Sequence, residues 1–204
     1  MLSQLAFSQT SAAGSWNTLN IRYTRNDQWS FFAEAQLRSL KFYRHFHYYE
    51  FKGGCNWNVH PNAALALAAG SYQTYAEGGN FIRPKNNDEF RIWPQLILFQ
   101  QFGKLKTEQR CRTEMRFTSN GYRNRFRYRM GIALPLGGKK DGIQQFQLSL
   151  NNEIFFTDRE PYFERNRLAL ILQYKPSLFS TIQIGFLRQF DYKINDETLR
   201  ILFR

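Results

Sequence analysis

Seven arginines between positions 110 and 129, most of them two residues apart, are the side chains best placed to do chemistry in this chain. Lys106, Glu108, Arg110, Arg112, Glu114 and Arg116 alternate along one segment, and Arg123, Arg125, Arg127 and Arg129 along the next. A guanidinium group binds carboxylate or phosphate through paired hydrogen bonds, and rings of such groups favour anions. Arg91, Glu153, Arg165 and Arg167 extend the pattern. The candidate site is therefore one charged network of Arg91, Glu108, Arg110, Arg112, Glu114, Arg116, Arg125, Arg127, Arg129, Glu153, Arg165 and Arg167. Such a set either receives small anions or pairs internally and fills the space it surrounds.

Alternation of this kind is the period of a β-strand, whose successive side chains point to opposite faces. Opposite the charges lie Leu105, Cys111, Met115 and Phe117 on one arm, and Phe126, Tyr128, Met130, Ile132 and Leu134 on the other. Asn120-Gly121 between them is a strong signal for a two-residue hairpin turn. With Ser119 and Tyr122 flanking it, Glu114 faces Arg127, Arg112 faces Arg129, Arg116 faces Arg125 and Met115 faces Phe126. Unpaired guanidinium groups cannot enter a dry core. Either the apolar face rests on a protein core with the arginines in solvent, or it meets lipid with the arginines inside a barrel.

Composition favours the second arrangement. The 204 residues fit one domain, with no linker or low-complexity tract to divide them. Aromatic residues make up 17%, yet mean hydropathy is −0.55 and the longest apolar run, 63–69, falls far short of the roughly 20 residues of a membrane helix. Apolar residues dispersed at period two are what a membrane-spanning barrel contains. The net charge of +12 first suggests a nucleic-acid partner. The basic residues are instead spread over several strands and share faces with Glu34, Glu50, Glu108, Glu114 and Glu153, so no nucleic acid is expected.

Period-two segments and turn signals mark eleven strands, at 16–24, 29–41, 44–59, 63–75, 89–102, the two hairpin arms within 104–136, 143–157, 163–175, 178–192 and 198–204. Most are long enough to cross a bilayer at a tilt. Only closure removes the edges of such a sheet. The fold class is all-β, an antiparallel transmembrane β-barrel of about 10–12 strands. Eleven antiparallel strands do not close, so an additional strand before Trp16, or a split one, is expected. Tight connections at 26–27, 60–62, 103–104 and 176–177 and a long polar one at 76–88 fit periplasmic turns and extracellular loops. Residues 15–204 form the single barrel domain, and 1–14 read as the remnant of a signal peptide or an N-terminal extension.

Other chemistry is thinner. Cys55 and Cys111 have no CxxC spacing and read as small apolar residues. His45 and His47 could chelate a metal with His60, but no acid or cysteine completes a usual ligand set, so no metal or cofactor is expected. A lipid hydrolase or acyltransferase needs a serine oriented by histidine. No strained, glycine-flanked serine accompanies the histidines, and no catalytic residue is assigned. Trp16, Trp29 and Trp57 fall near strand ends, where an aromatic girdle sits.

Trp16 opening the first strand, Asp27 before Trp29, Arg91-Ile92-Trp93-Pro94-Gln95, Arg110-Cys111-Arg112-Thr113-Glu114, Arg125-Phe126-Arg127-Tyr128-Arg129 and Asn166-Arg167 follow one another in that order. Their order and spacing resemble the outer-membrane barrel family catalogued as domain of unknown function 2490, of Bacteroidota type, over nearly the whole length from Trp16 onward. The resemblance implies a barrel in the bacterial outer membrane, surrounded by outer-membrane lipid, and supplies no established activity. The expectation is a non-enzymatic, integral outer-membrane β-barrel whose Arg/Glu-rich interior is structural or a narrow, porin-like pore favouring small anions. The alternatives are a soluble β-barrel binding an acidic ligand or lipid, and an outer-membrane lipid-modifying enzyme.

Overall fold

Strands make up all the regular structure of the described residues, which are 13–192 and the backbone of 196–203 of a computed structural model. They are β1 (Gly14–Thr24), β2 (Trp29–Lys41), β3 (Arg44–His60), β4 (Ala63–Ala76), β5 (Ile82–Phe102), β6 (Leu105–Thr118), β7 (Gly121–Lys140), β8 (Ile143–Thr157), β9 (Phe163–Tyr174), β10 (Ile182–Asp191) and β11 (Asp196–Phe203). Each pairs with the next, and β1 pairs with β11, so the sheet is a closed barrel. Neighbours are antiparallel except at this seam, where Gly14–Asn17 runs parallel to Arg200–Phe203. The parallel seam is what lets an odd number of strands close, because β1 and β11 start from the same rim. Closure among the described residues thus needs neither the additional strand nor the split one that parity led us to expect. The signal-peptide remnant expected over 1–14 lies outside the described residues up to position 12.

The long polar connection expected at 76–88 is a second correction, because β5 already begins at Ile82. Its polar residues read as a loop, but Lys85, Asn87 and Asp88 are ladder partners of Tyr75, Thr74 and Gln73 on β4, and the flanking backbone is tied down as well. Phe81 N donates to Phe46 O at 2.8 Å, and its ring meets Tyr49 and Tyr75. Ser119 N donates to Asp88 O at 3.0 Å, and Asp88 N to Ser119 Oγ at 2.9 Å. Connections at the rim carrying Trp57 (25–28, 61–62, 103–104, 141–142, 175–181) and at the rim carrying Tyr122 (42–43, 77–81, 119–120, 158–162) both mix short with longer ones. Loop length therefore does not distinguish the two rims.

In the 158–162 connection, Asp158 Oδ2 accepts Asn124 N at 3.0 Å and Asn124 Nδ2 at 2.9 Å. The backbone amide above all holds this carboxyl below the usual aspartate range. The tie is fully present above the unfolded-state value and is lost as pH falls through the lower folded one. The Asn124 amide resonance should accordingly titrate with a midpoint below that of an ordinary aspartate. An ordinary midpoint would show that the tie does not hold in solution.

The barrel buries little apolar surface inside. Tyr48, Ala68, Tyr72 and Trp93 form one inner cluster with Phe32 against it, and Trp16, Ala169 and Leu187 form another. Trp29 and Trp57 are cross-strand partners whose exposed rings stack at 5.8 Å near one rim. Trp16 corrects the girdle expectation. It is 5% exposed and lines the interior, with the guanidinium groups of Arg38 and Arg167 at 3.9 and 5.0 Å from its ring.

Candidate lumenal charge network

Strands β5 to β10 bring their inward residues into cross-strand rows. Arg110, Arg129, Glu153, Arg167 and Gln189 are successive partners in one row. Gln95, Arg112, Arg127, Phe155, Arg165 and Asp191 form the next row toward the Tyr122 rim. Partners in a row stand about 5 Å apart. That spacing is close enough for one carboxylate to serve several guanidinium groups.

Glu114, with no exposed surface, accepts Arg125 Nε at 2.8 Å, Arg127 Nη1 at 2.6 Å and Arg112 Nη1 at 3.4 Å. Glu89 is held through both oxygens by Arg91, at 2.7 and 2.9 Å, and also by Arg116. Glu153 accepts Arg127 Nη2 at 2.8 Å and Arg110 Nη2 at 3.2 Å. Around the wall, Glu50 pairs with Arg38 at 3.1 Å and with Lys52, Glu164 with Arg165 at 2.7 Å, and Glu108 with Arg129. Buried charges persist only with such pairing, since each loses its hydration.

Rings separate the cations where carboxylates run short. Phe155 has no exposed surface, and the guanidinium carbons of Arg127, Arg167, Arg125 and Arg165 lie 4.6, 4.7, 5.5 and 6.0 Å from its centroid. Arg91 sits 3.6 Å over Tyr72 and Arg112 5.0 Å over Trp93. A ring face attracts cations through its quadrupole and keeps like charges apart.

The structure brings the twelve expected residues together. Eleven line a cavity of about 880 Å³ and Glu114 lies buried beneath them. The cavity follows the wall for most of its length, from Arg123 to Ala133 on β7. Fourteen lysines and arginines line it against six glutamates, so pairing leaves the lumen positive.

A family model described as "Protein of unknown function (DUF2490)" matches residues 13–200. The chain belongs to this family. No curated protein matches it. The DUF2490 match spans the strands that carry every row described above.

In this DUF2490 barrel the faces of the β6–β7 hairpin are as expected, but its register is displaced by two residues. Glu114 is opposite Arg125, Arg112 opposite Arg127, Arg116 opposite Arg123 and Met115 opposite Asn124. The turn residues are Ser119 and Asn120, with Gly121 at φ +100° closing the strand. Thr118 Oγ1 accepts Asn120 N at 3.1 Å and donates to Gly121 O at 2.9 Å, which holds the turn one residue earlier than expected.

The expected network omitted Arg38, Glu50, Lys52, Glu89, Phe155 and Glu164, all part of the lattice. Glu89 shares the parity of Arg91, and Glu50 that of Lys52, so alternation alone signals them. Glu164 breaks parity because a bulge at Phe155/Phe156 turns it inward beside Arg165. The possible metal trio does not assemble, since His45 and His60 stand at opposite ends of β3. Cys55 and Cys111 are free thiols on β3 and β6.

Proposed function

We propose that this protein is an integral outer-membrane β-barrel of bacteria, without catalytic activity. In this reading its charged interior braces the wall and leaves a narrow path that favours small anions. The outer face carries the reading. Leu150, Leu170 and Phe186 are successive cross-strand partners, all at least 45% exposed, and Leu19, Ile21, Phe51, Leu67, Phe90 and Phe117 continue the belt on β1 to β6. A barrel in water carries charge outside and apolar side chains inside, and here the two are exchanged.

Two further features support a lipid surrounding. Polar groups within the belt pair with one another, as hydrocarbon requires: Asn152 and Asn166 exchange hydrogen bonds at 3.1 and 3.3 Å, and Tyr128 Oη donates to Gln109 at 2.9 Å. Aromatic clusters bound the belt, with Trp29 and Trp57 at one rim and Phe46, Tyr49, Tyr75 and Phe81 at the other. They lie about 30 Å apart along β3, which suits an apolar band about 25 Å tall crossed by tilted strands.

Co-flotation with lipid vesicles tests the proposal, and recovery as a stable aqueous monomer would overturn it. Within the bilayer, Leu170→Arg should cost about 2–4 kcal/mol in urea unfolding, against almost nothing for a barrel in water. In a planar bilayer under a chloride gradient, an anion-selective current supports the path. A cation-selective current, or none, removes the path and leaves the brace.

A further inference from the structure

We propose that the half of the lumen toward the Trp57 rim is a binding site for an oxyanion of the phosphate class, held by Arg110, Arg129 and Arg167. The inference deepens the anion-favouring reading above and rests on it for the ligand class. These three arginines stand in one row around Glu153. Their own partners leave them short of negative charge. Glu153 Oε1 serves Arg110 at 3.2 Å while also accepting Arg127 Nε and Nη2 at 3.2 and 2.8 Å. Arg129 reaches Glu108 through Nη2, and its buried Nε has no hydrogen-bond partner among the described residues. Arg167 donates to the neutral Gln189 at 2.7 Å and has no carboxylate ion pair among the described residues.

Space opens in front of that row. The next row toward the rim carries Gly131, Asn151 and Ala169, two of which have almost no side chain. A Cβ at Gly131 would come within 2.5 Å of Asn151 Oδ1, so the Asn151 amide lies across the place a side chain would fill. All three residues line the cavity. The result is a recess with guanidinium donors at its back, the Asn151 amide across it and the Glu108 carboxylate in the same row as Gly131. The three guanidinium groups meet only Glu108 and Glu153 there, and Glu153 is shared with Arg127, which Glu114 also holds at 2.6 Å. The positive charge left over is what an oxyanion neutralises, and its oxygens match the forked guanidinium donors.

The test is titration of the folded protein in detergent micelles with inorganic phosphate at constant ionic strength, followed calorimetrically. A second arm uses glycerol phosphate, which separates a free ion from a phosphate borne on a larger ligand. The expected result is one saturable site, weakened roughly tenfold or more in Arg129→Gln and in Arg167→Gln and unchanged in Arg123→Gln, near the opposite rim. Folding of each variant is checked by its strand circular dichroism, and the two site variants stand in for one another should either fail. No saturable binding of either probe, or equal weakening in Arg123→Gln, would overturn the site. The micelle assay needs no bilayer, so its failure leaves membrane insertion standing, and failure to insert leaves the site standing.

Discussion

Glu114→Gln is expected to destabilise the barrel by about 3–5 kcal/mol, the cost of breaking a buried charge constellation by removing one partner. Glu114 is the most deeply buried acid of the lattice and serves Arg125, Arg127 and Arg112 at 2.8, 2.6 and 3.4 Å. Gln keeps the shape and one acceptor oxygen but loses the charge, so three guanidinium groups lose their shared counter-charge, and only Arg127 and Arg125 retain a second carboxylate, Glu153 and Glu164. Removing a cation as well should restore part of the loss, so Glu114→Gln with Arg125→Gln should be more stable than additivity predicts. Equilibrium urea unfolding in micelles reads both. A loss below about 1 kcal/mol, as for an exposed ion pair, would show that water screens Glu114 and that the interior is not a brace.

Phe155→Ala is expected to cost a similar amount, about 3–5 kcal/mol, for a different reason. The ring is fully buried on a wall otherwise lined by charge, and four guanidinium carbons approach it within 6.0 Å. Alanine removes the spacer, leaves a cavity among those guanidinium groups and lets water reach Arg127 and Arg167. Phe155→Leu separates the terms. It nearly keeps the volume but loses the quadrupole, so it should cost about 0.5–2 kcal/mol, the range of a cation–π contact. If leucine proves as harmful as alanine, shape alone accounts for the ring. If both are silent, the lattice does not depend on it.

Much of the fold is legible along the chain. β2 and β8 begin and end at the residues where alternation and turn signals place them. The inward assignment of Arg110, Arg112, Arg125, Arg127 and Arg129 also follows from period two, because a strand has only two faces and the charges occupy one of them. Composition and strand length then choose between solvent and lumen for that face.

What alternation cannot carry is any relation that preserves parity or spans the chain. Displacing the β6–β7 register by two residues leaves each side chain on its own face, so Glu114 opposite Arg125 and Glu114 opposite Arg127 look alike until a particular turn, fastened by Thr118, selects one. Bulges reverse parity locally, which is why Glu164 joins the lattice unannounced. Closure pairs Gly14 with Arg200, almost the full chain apart, and nothing near either residue encodes a parallel seam. Alternation along the chain is enough to give a two-faced sheet with arginines gathered on one face. Which carboxylates and which ring those arginines share is a matter of tertiary structure, because register and bulges between β6 and β9 set which side chains meet at Glu114 and Phe155, and closure brings Trp16 of β1 against Arg167 of β9.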